Sequence, residues 1–338
     1  MKRVAVVGAT GVVGREMLRA LDERDFRPSS VTAYATGRSA GKRLAFGGDE
    51  LEVRDITSVR WADHDLALFS AGATASREMA PAAAREGTVV IDNSSAWRMD
   101  PGVPLVIPEI NPDALEGHRG IIANPNCTAI VALMATAPLH RAAGLRSMLI
   151  SSYQSVSGAG QKGVDELLEQ VEKLRGSEDE LAHPEPDSLP RGDVFGPTIA
   201  YNVVPRAGSF EDDGYTSEER KLADESRKIL GLPGLPVYGT VVRVPVVSGH
   251  AVSVHAGFER DLSPEEARDA LEAFDGVRVV DDASNDLFPT PLDSAGGDDV
   301  LVGRVRRAGE RSLLLFAAGD NLRKGAALNA VQIAERLA

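Results

Sequence analysis

The chain has 338 residues, more than one hydrophobic core usually organises, so two domains, or one domain with a large insertion, is the expectation. With 43% hydrophobic and 26% charged residues of both signs, it has material for packed cores and no compositional mark of disorder. A formal charge of -13 argues against a sequence-independent nucleic-acid binder, although local Arg and Lys can still meet an anionic substrate.

"MKRVAVVGATG" imitates a signal peptide, but Gly8, Thr10 and Gly11 interrupt its apolar run and Arg15 and Glu16 follow at once. No apolar stretch approaches the ~20 residues that cross a bilayer. One cysteine cannot close an intramolecular disulfide, and no Cys/His cluster has zinc-ligand spacing, so the expectation is a cytosolic protein without a structural metal.

The first elements read as a buried strand over Arg3 to Val7, a glycine turn, and an amphipathic helix with Val12, Val13, Met17, Leu18 and Leu21 inward. Gly8, Gly11 and Gly14 occupy that turn, where glycine lets helix N-terminal N–H groups approach a pyrophosphate. The strand "VTAYATGRSAGK" ends without the carboxylate that would hold a ribose 2′-hydroxyl. It carries Arg38 and Ser39, which suit a 2′-phosphate and favour NADP over NAD, against the competing reading of a solvated Arg. Further β-rich runs at "LEVRDI", "DLALFSA", "TVVIDNS", "PLVIP" and "GIIAN", with the helical "ASREMAPAAAREG" among them, predict a doubly wound parallel sheet for roughly the first 125 residues.

After Cys127 comes a helical stretch, then "RSMLISSYQSVSG", "TVVRVPVVSGHAVSVHAGFER" and "SLLLFAAGD", β runs of the kind found in mixed or antiparallel sheets. The segment from Gln161 to Gly196 begins as an amphipathic helix and turns polar and Pro-rich, as a loop or subunit contact would. The closing "NLRKGAALNAVQIAERLA" is a helix apolar on one face, suited to packing back on the first domain.

Cys127 has two readings, an inert small hydrophobe or a nucleophile. A helix starting at or just after it, with Asn126 near the cap, would put the thiol at the positive dipole end and lower its pKa, which favours the nucleophile. Such a thiol beside a nicotinamide would do thiohemiacetal and thioester chemistry. Among six histidines, His250 is the candidate acid/base because Gly249 before it can re-aim the strand toward a cleft, whereas His255 sits in an ordinary alternating strand. Arg243 can project from the same sheet and hold a carboxylate, and Arg98 lies near the carboxyl edge of the first sheet. Glu218 and Lys221 are spaced to face one way on a helix, which alone reads as a solvated face.

Together "GATGVVG", "RSAG", "FSAGATAS", "NSSAWRMD", "VIPEIN", "ANPNCTAI", "YQSVSGAG", "EERK", "VRVPVVSGH" and "GDNLRKGAA" resemble the aspartate-β-semialdehyde dehydrogenase family, in order and over nearly the whole chain. The resemblance implies an α/β fold: a Rossmann-like NADP-binding domain over 1–127, an α+β catalytic and dimerisation domain over 128–318, and a C-terminal helix over 319–338 returning to the first. It implies reduction of β-aspartyl phosphate to aspartate semialdehyde with NADPH, on the route to lysine, methionine and threonine, by a homodimer or dimer of dimers. Cys127 would be the nucleophile, His250 the acid/base and Gln154 the group orienting substrate. Arg243 and Glu218 would bind substrate, with Glu219 the adjacent alternative, and Arg98, Lys221 and Asn126 the phosphate. Gly8, Thr10, Gly11, Val12, Val13, Arg38, Ser39, Ser157, Gly158 and Asn321 would contact NADP. The rivals are a sister reductase of N-acetyl-γ-glutamyl-phosphate or malonyl-CoA type, and a non-catalytic dinucleotide-binding protein.

Overall fold

The structure, a computed structural model, describes residues 2–24, 26–185 and 189–337; residues 186–188 of the Pro-rich segment lie outside the described residues. In chain order the first elements are β1 (Arg3–Val7), α1 (Val12–Glu23), β2 (Ser30–Ala35), β3 (Arg43–Phe46), β4 (Asp49–Asp55), β5 (Leu66–Phe69), α2 (Ala73–Arg85), β6 (Val89–Asp92) and β7 (Ile121–Ala123). Then come α3 (Cys127–Ala143), β8 (Leu145–Gln154), α4 (Gln161–Leu174), α5 (Ser217–Leu230), β9 (Val237–Arg243), β10 (His250–Phe258), α6 (Pro264–Glu272), β11 (Val277–Val279), α7 (Pro291–Ser294), β12 (Val300–Gly309), β13 (Ser312–Gly319) and α8 (Leu328–Arg336).

The first sheet runs β3-β4-β2-β1-β5-β6-β7. It is parallel except for β3, which pairs antiparallel with β4 around Gly47 and Gly48, an edge the sequence reading does not foresee. The expected strand at "PLVIP" is absent. Prolines at both ends remove backbone donors, and only Leu105 makes a bridge, to Ala123.

The second sheet runs β11-β12-β13-β10-β8-β9 and is mixed, as expected: β10 lies antiparallel between β13 and β8, while β9 is parallel to β8. The long run from Thr240 to Arg260 is two strands, not one, broken between Arg243 and His250. Gly249 takes φ +86, and a Cβ there would stand 2.3 Å from the Pro291 carbonyl, so only glycine makes this turn.

Helix α3 is buried nearly all round, lies on β10, β8 and β13 of the second sheet, and shares one hydrophobic cluster with Val7, Phe69 and Ala123 of the first. Helix α8 inserts Ala330, Val331, Ile333 and Ala334 into the core of the first sheet, beside Val4, Val6 and Leu68. A π-helical turn, Arg323–Ala327, leads into it. Among the described residues no helix is long and apolar enough to cross a membrane.

Candidate active site

The register of the second sheet brings three chemistry-bearing residues to one end. Gln154 closes β8 and pairs with Arg243, the last residue of β9; His250 opens β10, next to Ala251, which pairs with Tyr153. Facing them is the N-terminus of α3. Asn126 is its N-cap, accepting at Oδ1 from the N–H groups of Thr128 at 2.9 Å and Ala129 at 3.3 Å, so Cys127 is the first helical residue, as expected. A cap of this kind is worth about 1 kcal/mol.

Between these elements lies a cleft of about 670 Å³. It is lined by Thr10, Gly11, Val12 and Val13 of the glycine turn, and by Arg98, Asn126, Cys127, Gln154, Ser157, Gly158, Glu218, Lys221, Arg243 and Asn321. Four anticipated residues lie outside this lining. Gly8 sits below the turn at φ +81, where a Cβ would stand 2.4 Å from the Ser70 carbonyl. Arg38 is exposed and Ser39 half-buried, in a short turn after β2. His250 is fully buried behind Gly158.

The cleft is polar and tightly tied. Arg243 donates from Nη1 to the Ser155 carbonyl at 2.9 Å, and Gln154 from Nε2 to Thr128 Oγ1 at 2.9 Å. His250 Nδ1 accepts the Ser155 N–H at 3.1 Å, which leaves the proton of the neutral ring on Nε2, an atom buried without a partner. Asn321 braces this corner: its Oδ1 accepts from Gly249 N at 2.9 Å and from Ser155 Oγ at 3.0 Å, and its Nδ2 donates to Ser157 Oγ at 3.0 Å.

Geometry also separates the two glutamates. Glu218 enters the cleft, accepting from Lys221 Nζ at 2.5 Å and Asn126 Nδ2 at 2.8 Å. Glu219 turns away to complete the capping box of α5, accepting from Thr216 N at 2.7 Å and from Val241 N at 3.1 Å. Burial disfavours the Glu218 charge, but Lys221, Asn126 and Arg243 outweigh it and hold the carboxyl below its usual range.

The thiol departs from the expectation. Burial first, then the Glu218 carboxylate, push Cys127 up, over the opposing pull of Arg243 and Arg98. The helix start is where the sequence puts it, yet desolvation and a near carboxylate raise the thiol over the two guanidinium groups and the Thr128 N–H that favour its anion.

Burial and then Arg243 hold His250 well below the usual imidazole value. An unfolded chain takes up this proton below about pH 6.5, whereas the folded ring stays neutral far lower, so acid favours unfolding and the stability present above that pH is lost as pH falls. Urea melts at pH 7.5 and 5.5 should show a smaller decline for His250→Asn than for the wild-type chain; equal declines would remove His250 as a source.

Two features escape the sequence reading. Glu225, fully buried on α5, accepts from Arg98 Nη1 at 3.1 Å and from the Asn126 N–H at 2.6 Å. Gly325, in the π-helical turn, packs so close that a Cβ there would stand 2.9 Å from that of Cys127. The spacing of Glu218, Lys221, Glu225 and Lys228 along one face of α5 is the signal that could have exposed the first; nothing local signals the second.

The glycine turn, the lone thiol and the Gln154–Arg243–His250 sheet end define the class, the two-domain semialdehyde dehydrogenases. Residues 3–118 match the family model described as semialdehyde dehydrogenase, NAD binding domain, and residues 136–324 the one described as semialdehyde dehydrogenase, dimerisation domain. The chain belongs to the aspartate-semialdehyde dehydrogenase family. It is 50% identical to the aspartate-semialdehyde dehydrogenase of Corynebacterium melassecola, covering 100% of this chain and 99% of that protein. Against the Bacillus subtilis protein of the same name it is 44% identical, covering 99% and 96%. The crystal structure of aspartate semialdehyde dehydrogenase II from Vibrio cholerae, complexed with ASA, superposes with a TM-score of 0.92 at 43% identity, covering 100% of this chain and 98% of that one.

Proposed function

We propose that this chain uses NADPH to convert L-aspartyl-4-phosphate to L-aspartate-4-semialdehyde and phosphate, on the route to lysine, methionine and threonine. The observation that carries the reading is convergence. Arg98, Asn126, Cys127, Gln154, Glu218, Lys221 and Arg243, scattered over the chain, line one cleft with the glycine turn of β1 and α1.

The turn fits a dinucleotide. No side chain caps α1, so the N–H groups of its first turn are open to a pyrophosphate beside Thr10 to Val13. NADPH supplies a hydride when bound; Ser157, Gly158 and Asn321 would hold its nicotinamide end, and Arg38 and Ser39 its 2′-phosphate. Cys127 Sγ attacks the acyl carbon, its bond to the phosphate oxygen breaks, and a thioester remains on the sulfur. Arg98 and Lys221, with Asn126, hold the departing phosphate, while Arg243 takes the substrate α-carboxylate and Glu218 its ammonium. Gln154 orients the acyl group. After reduction the C–S bond breaks and the aldehyde leaves, with His250 Nε2 handling the proton.

The reading also makes the protein a cytoplasmic homodimer or dimer of dimers. Supporting the assembly, Leu149, Tyr153 and Tyr238 stand exposed on the outer face of the second sheet.

The test is NADPH formation from aspartate semialdehyde. Formation should require phosphate, exceed that with NAD, and exceed that with N-acetylglutamate semialdehyde. A preference for the latter substrate would make the chain a sister reductase, and no turnover of either would overturn the enzymatic reading.

A further inference from the structure

One face of α5 carries Glu218, Lys221, Glu225 and Lys228, three or four residues apart. The first two line the cleft; the other two do not. Glu225 is fully buried, with one carboxylate oxygen on Arg98 Nη1 at 3.1 Å and the other on the Asn126 N–H at 2.6 Å. It therefore ties the loop that carries Arg98 to the N-cap of α3. Lys228, one turn on, donates from Nζ to the carbonyls of Arg98 at 2.7 Å, Asp100 at 2.7 Å and Val103 at 2.9 Å, pinning the loop that carries Arg98. The remaining Arg98 contacts are Nε to the Asn124 carbonyl and Nη2 to the Asn93 carbonyl, both at 2.9 Å.

A buried carboxylate against Arg98 subtracts positive charge from a place meant to attract an anion. Charge alone would therefore make Glu225 a handicap to phosphate binding, and geometry makes it an asset, because one rigid group from the second domain fixes two anion-holding residues of the first at a set spacing. We propose that Glu225 is a positioning residue for the phosphate group, aided by Lys228, and that the affinity of the cleft for phosphate depends on the Arg98–Glu225–Asn126 bridge. This rests on the reading of Arg98 and Asn126 as phosphate-holding groups.

The two accounts of Glu225 predict opposite signs. Glutamine keeps the shape but can accept from only one of the two donors, so its amide N–H must face either Arg98 or the Asn126 N–H, and the bridge breaks. For Glu225→Gln in the intact enzyme, the KM for phosphate with aspartate semialdehyde and NADP should rise about tenfold, the loss of one charge-assisted bond, with the KM for NADP within about twofold. In an Arg98→Gln background, itself raised in phosphate KM, the same change should add little.

Mere charge relief would lower the phosphate KM. A lowered or unchanged value beside an impaired Arg98→Gln overturns the inference alone. A wild-type enzyme indifferent to phosphate, or Arg98→Gln with a normal phosphate KM, overturns the underlying reading as well. If Glu225→Gln does not fold, Lys228→Met decides: it frees the loop without touching the bridge and should raise the phosphate KM about threefold, and no rise counts against the inference.

Discussion

Replacing Cys127 with serine lowers kcat by about 10⁴-fold or more, and leaves the Kd for NADPH within about twofold. The substitution is conservative in shape and placement, since the oxygen takes the first position of α3 under the same Asn126 cap. It is not conservative in chemistry. The thiol already works against burial and the Glu218 carboxylate, and reaches its anion with help from Arg243 and Arg98. A hydroxyl starts several pH units higher and meets the same desolvation. No neighbour compensates, because His250 Nδ1 is occupied by the Ser155 N–H and Nε2 carries the ring's proton. Phosphate-dependent NADPH formation gives kcat, and a fluorescence titration gives the cofactor Kd. A serine variant with a tenth of normal turnover would take Cys127 out of the chemistry.

Gly158→Ala should lower kcat/KM about 10²-fold with little change in thermal midpoint, an effect of the size expected when reacting groups are displaced by about 1 Å. The added methyl would stand 2.6 Å from Arg243 Nη1, 3.0 Å from His250 Cε1 and 3.1 Å from His250 Nε2. Neither neighbour has slack. Arg243 is held by the Ser155 carbonyl and His250 by the Ser155 N–H, so a shift of one is resisted by a residue that also holds the other. The backbone of Gly158 is outside the left-handed region, so alanine brings no conformational strain and the fold itself should persist. Steady-state kinetics beside a thermal melt separates the two effects; wild-type kcat/KM would show that the space between Arg243 and His250 is slack after all.

The parts of the cleft legible in the sequence are those whose signal is local. Gly8 and Gly11 punctuate a strand-to-helix turn, and Asn126 before an apolar helical run marks a cap, so both helix starts lie where the residues put them. Gly249 is legible for the same reason, since a glycine before an alternating run marks a bend. Glu225 is not, because a carboxylate four residues beyond a lysine on a helix reads as a solvated face until the partner from another domain is in view. "PLVIP" misleads in the opposite sense: three apolar residues promise a strand, and the prolines on either side lack the N–H groups that would extend its pairing beyond the single bridge to Ala123. The direction of the Cys127 shift was beyond reach because it is set by burial and by Glu218, which is ninety-one positions away in the chain. Between Glu218 and Glu219 the sequence offers spacing alone; the structure gives one to the cleft and the other to a helix cap.

The return of α8 to the first sheet bears on how the molecule is made. Ala330, Val331, Ile333 and Ala334 complete a core begun by Val4 and Val6, so part of the first sheet's face stays uncovered until the segment that follows the last strand of the second sheet has been made. The same late segment brings Asn321 to the Gly249 turn and Gly325 against Cys127. Translation of the second sheet must therefore finish before the first is sealed, and a nascent chain stalled anywhere short of α8 offers chaperones an open apolar face and an unfinished cleft together.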